Sequence, residues 1–350
     1  MTQPELSLVL IGFGNVARRF VRLLGETADR LDFTWKVVGI STRQHGSVID
    51  ADGLDTHRAL QLVESKQSLD ARDRRSGLDV IRQVADRCAD DAAEARLVCV
   101  ETTVLDIDRG EPAVSHVRAA LEAQAHVVTA NKGPAAFAFH ELDALAESVD
   151  RRFFFEGAVM DGVPVFNLVR ETLPAVAIEG FRGVINTTCN FILSELERGK
   201  DFDAALADMQ RRGIAEADPT LDVDGWDAAA KTAALVNVLM GSVITPHQVS
   251  RTGIRDVSGA DVRDAVSRNR RIRLVASASR SGGKVKARVE PELLGPDDPL
   301  AGVTDLQNAL YFQTDLLGEI GIVQRSGDLT QTAYALLTDL ARISFGERRL

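Results

Sequence analysis

Cysteine is scarce in this chain of 350 residues: Cys88, Cys99 and Cys189 are too few and too scattered for a disulfide framework or a structural zinc site. A reducing, cytoplasmic compartment is the simplest expectation. The six histidines, His45, His57, His116, His126, His140 and His247, have no metal-ligand spacing. Long apolar runs are missing as well. Nothing approaches the roughly 20 residues that span a bilayer, so no membrane partner is expected. The N-terminus lacks a basic region and a small-residue cleavage site, which argues against a secretory signal. Excess positive charge is also missing: 41 Lys and Arg face 51 Asp and Glu, for a net charge of −10. That balance argues against a general nucleic-acid binder but leaves room for a local basic pocket that holds a phosphate. Lysine itself is rare, with seven at positions 36, 66, 132, 200, 231, 284 and 286. Arg stays protonated whereas Lys can give or take a proton, so a Lys in an informative setting gains weight.

What is present is an ordinary globular balance, 45% hydrophobic and 26% charged. The length suggests about two domains with cores large enough to need no staples. Leu6 to Ile11 is an apolar run that ends in a glycine turn. An amphipathic stretch from Asn15 to Leu24 follows, then a second apolar run from Trp35 to Ser41. Further strands are expected at Leu97–Glu101, His126–Thr129 and Arg152–Glu156, with helices at Pro112–Ala125 and Pro134–Val149. Strands alternating with helices predict an α/β fold with a Rossmann-type, doubly wound parallel sheet over residues 1–155. The pattern changes after about residue 156. A strand at Val176–Ile185, helices at Phe191–Arg198, Asp203–Arg212 and Asp224–Leu239, and a hairpin of Arg271–Arg280 with Lys284–Leu294 predict an α+β second domain over residues 156–325. A last helix is expected at Asp328–Ser344. The charged stretch Asp70–Ser76 reads as solvated loop.

Four motifs carry chemistry. Gly12-Phe13-Gly14-Asn15-Val16-Ala17 lies between a strand and a helix. Gly12 permits the tight turn, Gly14 lets the backbone approach a pyrophosphate, and Ala17 permits close helix packing. The helix N-terminus then favours the anion. The second motif is Ser41-Thr42-Arg43 after the second strand. A cofactor with a free ribose 2′-OH calls for an acid there, and none occurs before Asp50. Hydroxyls and an Arg suit a 2′-phosphate instead, so NADP is expected over NAD. The third is Thr129-Ala130-Asn131-Lys132-Gly133-Pro134, which puts Lys132 at the carboxyl edge of the sheet, where such folds bind ligands. The fourth runs from Glu216 through Asp218, Asp222, Asp224 and Asp227 to Lys231. Asp224 is expected to cap a helix starting near Gly225. Asp227 and Lys231 then share one helix face. By itself that pattern describes a charge pair at a helix start. Around a rare Lys, it also describes a site that holds an ammonium group and tunes an acid/base Lys.

These motifs, in this order, resemble the homoserine dehydrogenase family over nearly the whole chain. The resemblance implies a Rossmann domain followed by a substrate and dimerisation domain, with residues 326–350 returning to the first. It implies a homodimer and reversible hydride transfer between L-homoserine and L-aspartate 4-semialdehyde with NAD(P). It implies that Lys231 is the acid/base residue, that Lys132 is a second active-site Lys, and that Glu216, Asp222, Asp227 and Thr188 line the substrate site. Gly12, Phe13, Gly14, Asn15, Val16, Arg43, Thr102 and Lys132 are the expected cofactor contacts. A sodium ion bound largely through main-chain oxygens is implied at Glu156, Val159, Asp161 and Val163. Three stretches depart from the family pattern. Met160 and Asp161 stand where the family has small residues, and Thr187 stands where it has Gly. The stretch Gln324–Thr332 replaces a glycine-rich one. A dehydrogenase acting on another small hydroxy amino acid or hydroxy acid therefore stays open, as does a non-catalytic NADP-binding sensor.

Overall fold

A computed structural model describes residues 3–70, 73, 75–88, 96–211 and 218–345. The chain divides into two compact units, one of residues 1–134, 138–164 and 329–350, the other of residues 135–137 and 165–328.

The first unit begins with β1 (Glu5–Ile11), α1 (Asn15–Glu26), β2 (Thr34–Thr42) and β3 (Gly46–Ile49). It continues with α2 (Thr56–Glu64), α3 (Gly77–Cys88), β4 (Arg96–Glu101), α4 (Ala113–Glu122) and β5 (His126–Thr129). Then come α5 (Lys132–Phe137), of which only residues 132–134 belong to this unit, α6 (Phe139–Ser148) and β6 (Phe153–Phe154). The sheet order is β3-β2-β1-β4-β5-β6, parallel throughout except for the β2–β3 hairpin. This is the doubly wound arrangement expected. β1 is apolar on both faces because helices cover both sides, and its residues from Leu6 onward are buried. β3 has no counterpart in the sequence reading. Its four residues are too few to carry a period. The expected helix from Pro134 to Val149 is two helices, α5 and α6, meeting at Ala138.

The second unit holds α7 (Phe166–Thr172), β7 (Ile178–Val184), α8 (Thr187–Glu197), α9 (Phe202–Arg211), α10 (Thr220–Val223) and α11 (Trp226–Leu239). After these come β8 (Ser250–Arg251), α12 (Gly259–Ser267), β9 (Arg271–Ser281), β10 (Lys284–Leu294), β11 (Asn308–Thr314) and β12 (Gly318–Gln324). Its sheet order is β12-β11-β7-β9-β10-β8. The β9–β10 hairpin turns on Gly282 and Gly283, both with positive φ (57° and 79°), as a two-residue hairpin turn requires. Helices α8, α11 and α12 pack on this sheet. α8 starts at Thr187, four residues before the expected Phe191, because Asn186 caps it.

The last helix, α13 (Leu329–Phe345), belongs to the first unit. Its Ala333, Leu336, Leu340 and Ile343 join one core cluster with Phe20 and Leu24 of α1 and Leu8 and Leu10 of β1. Each fully buried Leu or Phe there contributes about 1.5–3 kcal/mol relative to exposure. A buried carboxylate on α13, Asp339, accepts from the Glu156 backbone N–H at 2.8 Å, which ties the turn after β6 to this helix. Among the described residues, no helix is long and apolar enough to cross a membrane.

Candidate active site

In the first unit, the carboxyl ends of β1, β2, β4 and β5 form one edge. Gly12 takes φ +88°, and a Cβ there would meet the Thr102 backbone at 2.8 Å, so only glycine fits. Gly14 is the N-cap of α1, and a Cβ on it would meet nothing within 4 Å. The first turn of α1 has no acidic residue. Open backbone before an uncapped helix N-terminus is a fit for a pyrophosphate. Phe13 is buried, Val16 is half-buried, and Asn15 is exposed and accepts from Arg18. Thr102 donates its N–H to the Ile11 carbonyl (2.8 Å) and its hydroxyl to the Gly12 carbonyl (3.1 Å).

The Ser41-Thr42-Arg43 segment closes β2 and enters the turn to β3. Its hydroxyls serve the hairpin: Ser41 Oγ accepts from Ser47 Oγ at 3.1 Å, and Thr42 Oγ1 donates to the Gly46 carbonyl while accepting from the His45 N–H. Arg43 is exposed in the turn and has no hydrogen-bond or ionic partner among the described residues. Arg43 is the most exposed of the three.

Glu101, at the end of β4, was missed in the sequence although it is an acid closing an apolar strand at the ligand edge. It is fully buried. It accepts from the Thr103 N–H at 3.0 Å, from the Thr103 hydroxyl, and from Thr129 Oγ1 at 3.1 Å. Asn131 then donates its side-chain amide to the Thr103 carbonyl (2.9 Å) and caps α5 by accepting from the Gly133 N–H (2.9 Å). Lys132, half-buried, is the first residue of α5. The loops after β4 and β5 are thus one hydrogen-bonded body.

The expected cation site also lies in this unit. Glu156 and Val159 are buried, Asp161 takes φ +51°, and the Val163 N–H donates to the Met160 carbonyl at 3.0 Å. Asp161 Oδ1 accepts from Thr332 Oγ1 of α13 at 2.9 Å. The Asp161 side chain therefore ties this turn to α13.

The second unit gathers charge at the start of α11. This helix is nearly buried all round, with Ala228, Ala229, Ala230 and the run Thr232–Asn237 inaccessible. Asp227 and Lys231 are its half-buried charged side chains, paired at 3.1 Å. Lys231 Nζ also donates to the Ile185 carbonyl at 2.7 Å. Asn186 is buried and donates its side-chain amide to Asp222 Oδ1 (2.7 Å) and Asp227 Oδ2 (2.9 Å). Asn186 Oδ1 accepts from the Cys189 N–H at 2.8 Å and so caps α8. Thr188, in the first turn of α8, is buried. Glu216 lies outside the described residues. Asp224 does not cap α11. Gly225 is the N-cap, in a left-handed conformation, and Asp224 pairs with Arg255 at 2.8 Å. The short helix α10 takes up the preceding residues and turns Asp224 outward.

Cys189 Sγ donates to the Asp222 carbonyl. Burial pushes this thiol well up, with Asp222 and Asp227 adding to the shift, so it is no nucleophile. The side chain of Thr187, the departure from Gly, is engaged elsewhere: its hydroxyl accepts from Asn308 Nδ2 of β11 at 3.0 Å, and Asn308 also donates to Gln324 at 2.8 Å.

Residues 164–341 match the homoserine dehydrogenase family model. An NAD(+)-dependent homoserine dehydrogenase from Pseudomonas canavaninivorans is 39% identical over 97% of this chain and 96% of its own. The chain belongs to the homoserine dehydrogenase family. The homoserine dehydrogenase of Methanocaldococcus jannaschii is 35% identical over 97% of this chain and 98% of its own. Among solved structures, a homoserine dehydrogenase from Thiobacillus denitrificans is 30% identical, with a TM-score of 0.79 over 97% of this chain and 73% of that one. A hyperthermophilic archaeal homoserine dehydrogenase in complex with NADPH is 28% identical, with a TM-score of 0.79 over 97% of this chain and 98% of that one. Like other homoserine dehydrogenases, this one is a nicotinamide-dependent oxidoreductase acting on a CH–OH group.

Proposed function

We propose that this homoserine dehydrogenase prefers NADP and interconverts L-homoserine and L-aspartate 4-semialdehyde with Lys231 as its acid/base residue. The observation that carries the reading is the Lys231–Asp227–Asn186–Asp222 constellation at the start of α11. A nicotinamide cofactor bound here would supply the hydride chemistry. Residues Gly12 to Val16 and Thr102 would hold its pyrophosphate end, and Arg43 would meet the 2′-phosphate. Asp222, Asp227 and Thr188 hold the substrate in this reading, and so does Glu216 on the resemblance alone. Lys231 has three N–H donors, two of them held by Ile185 and Asp227. The third is left for the substrate oxygen. In reduction Lys231 gives that proton to the oxygen; in oxidation, as a neutral amine, it takes the hydroxyl proton. Lys132 stabilises the developing negative oxygen. The main-chain oxygens of Glu156, Val159, Asp161 and Val163 are hard donors of the kind that suits sodium. The unit of residues 165–328 carries the substrate side and the homodimer contact.

The test is the dihydronicotinamide absorbance during homoserine oxidation with NADP and, separately, NAD. Faster turnover per unit concentration with NADP supports the reading, and equal or faster turnover with NAD overturns the cofactor assignment. NAD is the second reading, favoured by the NAD(+)-dependent relative at 39% identity. Failure with homoserine but turnover of another small hydroxy acid would move the substrate.

A further inference from the structure

We propose that Asn186 is a positioning residue that holds Asp222 and Asp227 as a fixed pair and thereby aims Lys231. The inference rests on the acid/base role proposed for Lys231. Asn186 has three hydrogen-bonding jobs and fills all of them. Its two amide hydrogens go one to each carboxylate, at 2.7 and 2.9 Å, and its carbonyl oxygen caps α8.

The need for such a bridge follows from charge. Two carboxylates that reach one amide nitrogen lie close together and repel each other. Lys231 pairs directly with Asp227. Without Asn186, the two acids lose the donor that bridges them. A shift of Asp227 would carry Lys231 with it, because Asp227 Oδ2 accepts from both Asn186 and Lys231. The neighbouring residue closes the arrangement: the Ile185 carbonyl holds the same Lys from the other side at 2.7 Å. Two consecutive residues at the end of β7 thus fix three charged groups from two helical segments. Asn186 touches no reacting atom in this scheme. It acts through Asp227 and Lys231.

The cap and the bridge can be separated. Serine is a good N-cap but is too short to reach two carboxylates. Asn186→Ser therefore keeps the α8 cap and removes the bridge, while Asn186→Ala removes both. Both variants are expected to lose homoserine kcat by roughly ten- to hundredfold, the scale of a misplaced catalytic group. The solvent deuterium isotope effect on kcat should rise in both, because proton delivery becomes slower. Cofactor affinity, measured by fluorescence titration, should stay near that of the unmodified enzyme. Only Asn186→Ala should melt at lower temperature. A serine variant with near-normal kcat and an unchanged isotope effect would overturn the proposal and leave Asn186 as a helix cap alone. If Lys231→Met keeps its turnover, the underlying acid/base reading has failed instead, which the Asn186 variants by themselves would not reveal.

Discussion

Lys231 and Asp227 sit one helical turn apart on α11, with Nζ 3.1 Å from Oδ2, in a helix whose other inner positions are alanine and aliphatic residues apart from Thr232 and Asn237. Neither side chain can swing far. The Ile185 carbonyl blocks one direction for Lys231, and the Asn186 amide blocks one for Asp227. Such a pair differs from a solvated i,i+4 pair, which contributes a few tenths of a kcal/mol to a helix. Here it fixes a donor in space.

Lys231→Met keeps the length of the side chain and removes its proton. Homoserine turnover should fall by roughly a hundredfold or more, the usual contribution of a general acid/base. Cofactor binding should be unaffected in a fluorescence titration. A variant that turns over normally would remove Lys231 from the mechanism.

Arg43→Ala tests the cofactor assignment. The guanidinium is exposed and has no partner among the described residues, so its loss should cost the fold little. The NADP over NAD ratio of kcat/KM should fall by about tenfold, the scale of one lost hydrogen bond to a charged group. An unchanged ratio would mean that another residue reads the 2′ position.

Thr187→Gly tests whether the departure from the family pattern narrows the pocket. The Thr187 hydroxyl is engaged by Asn308, away from Asp227 and Lys231 in the hydrogen-bond network. Homoserine kcat/KM should change little, and stability should fall by about 1 kcal/mol from the lost hydrogen bond and the added backbone freedom. A gain in kcat/KM of about tenfold would show instead that Thr187 obstructs the substrate.

His126, at the start of β5, predicts a pH effect on stability. Burial pushes its pKa down to about 4, and the charges of Arg151, Arg96 and Arg152 push the same way. Its Nδ1 also accepts from the Arg152 N–H at 3.0 Å, which needs a neutral ring. The folded value is below the unfolded one, so the unfolded chain takes up the proton first as pH falls below 6.5. Stability from this group is full above pH 6.5 and is lost as pH falls to about 4. The loss reaches up to about 3 kcal/mol before discounting for partial solvent access. Urea unfolding across that range should be flatter in His126→Asn, whose amide oxygen keeps the hydrogen bond. Equal slopes would exclude His126 as the source.

The local pattern was enough to read the glycine turn, the parallel first sheet, the β9–β10 hairpin and the i,i+4 relation of Asp227 to Lys231. Each rests on a short-range rule: apolar run, glycine conformation, turn length or helical period. β3 escaped because four residues carry too little periodicity, and the Asp224 cap failed because Gly225 took that position in a left-handed conformation. The roles of the Ser41 and Thr42 hydroxyls could not be read either, since the hairpin that uses them comes from a strand the pattern did not reveal. The linear order of residues determined which side chains were available: a rare Lys at 231, an acid one turn before it, a glycine turn at 12–14. Tertiary structure alone decided that Ile185 and Asn186, some forty residues upstream, would hold that Lys and both acids. Hydrogen bonds between segments far apart in the chain depend on how β7 meets α11, and no local period records that meeting.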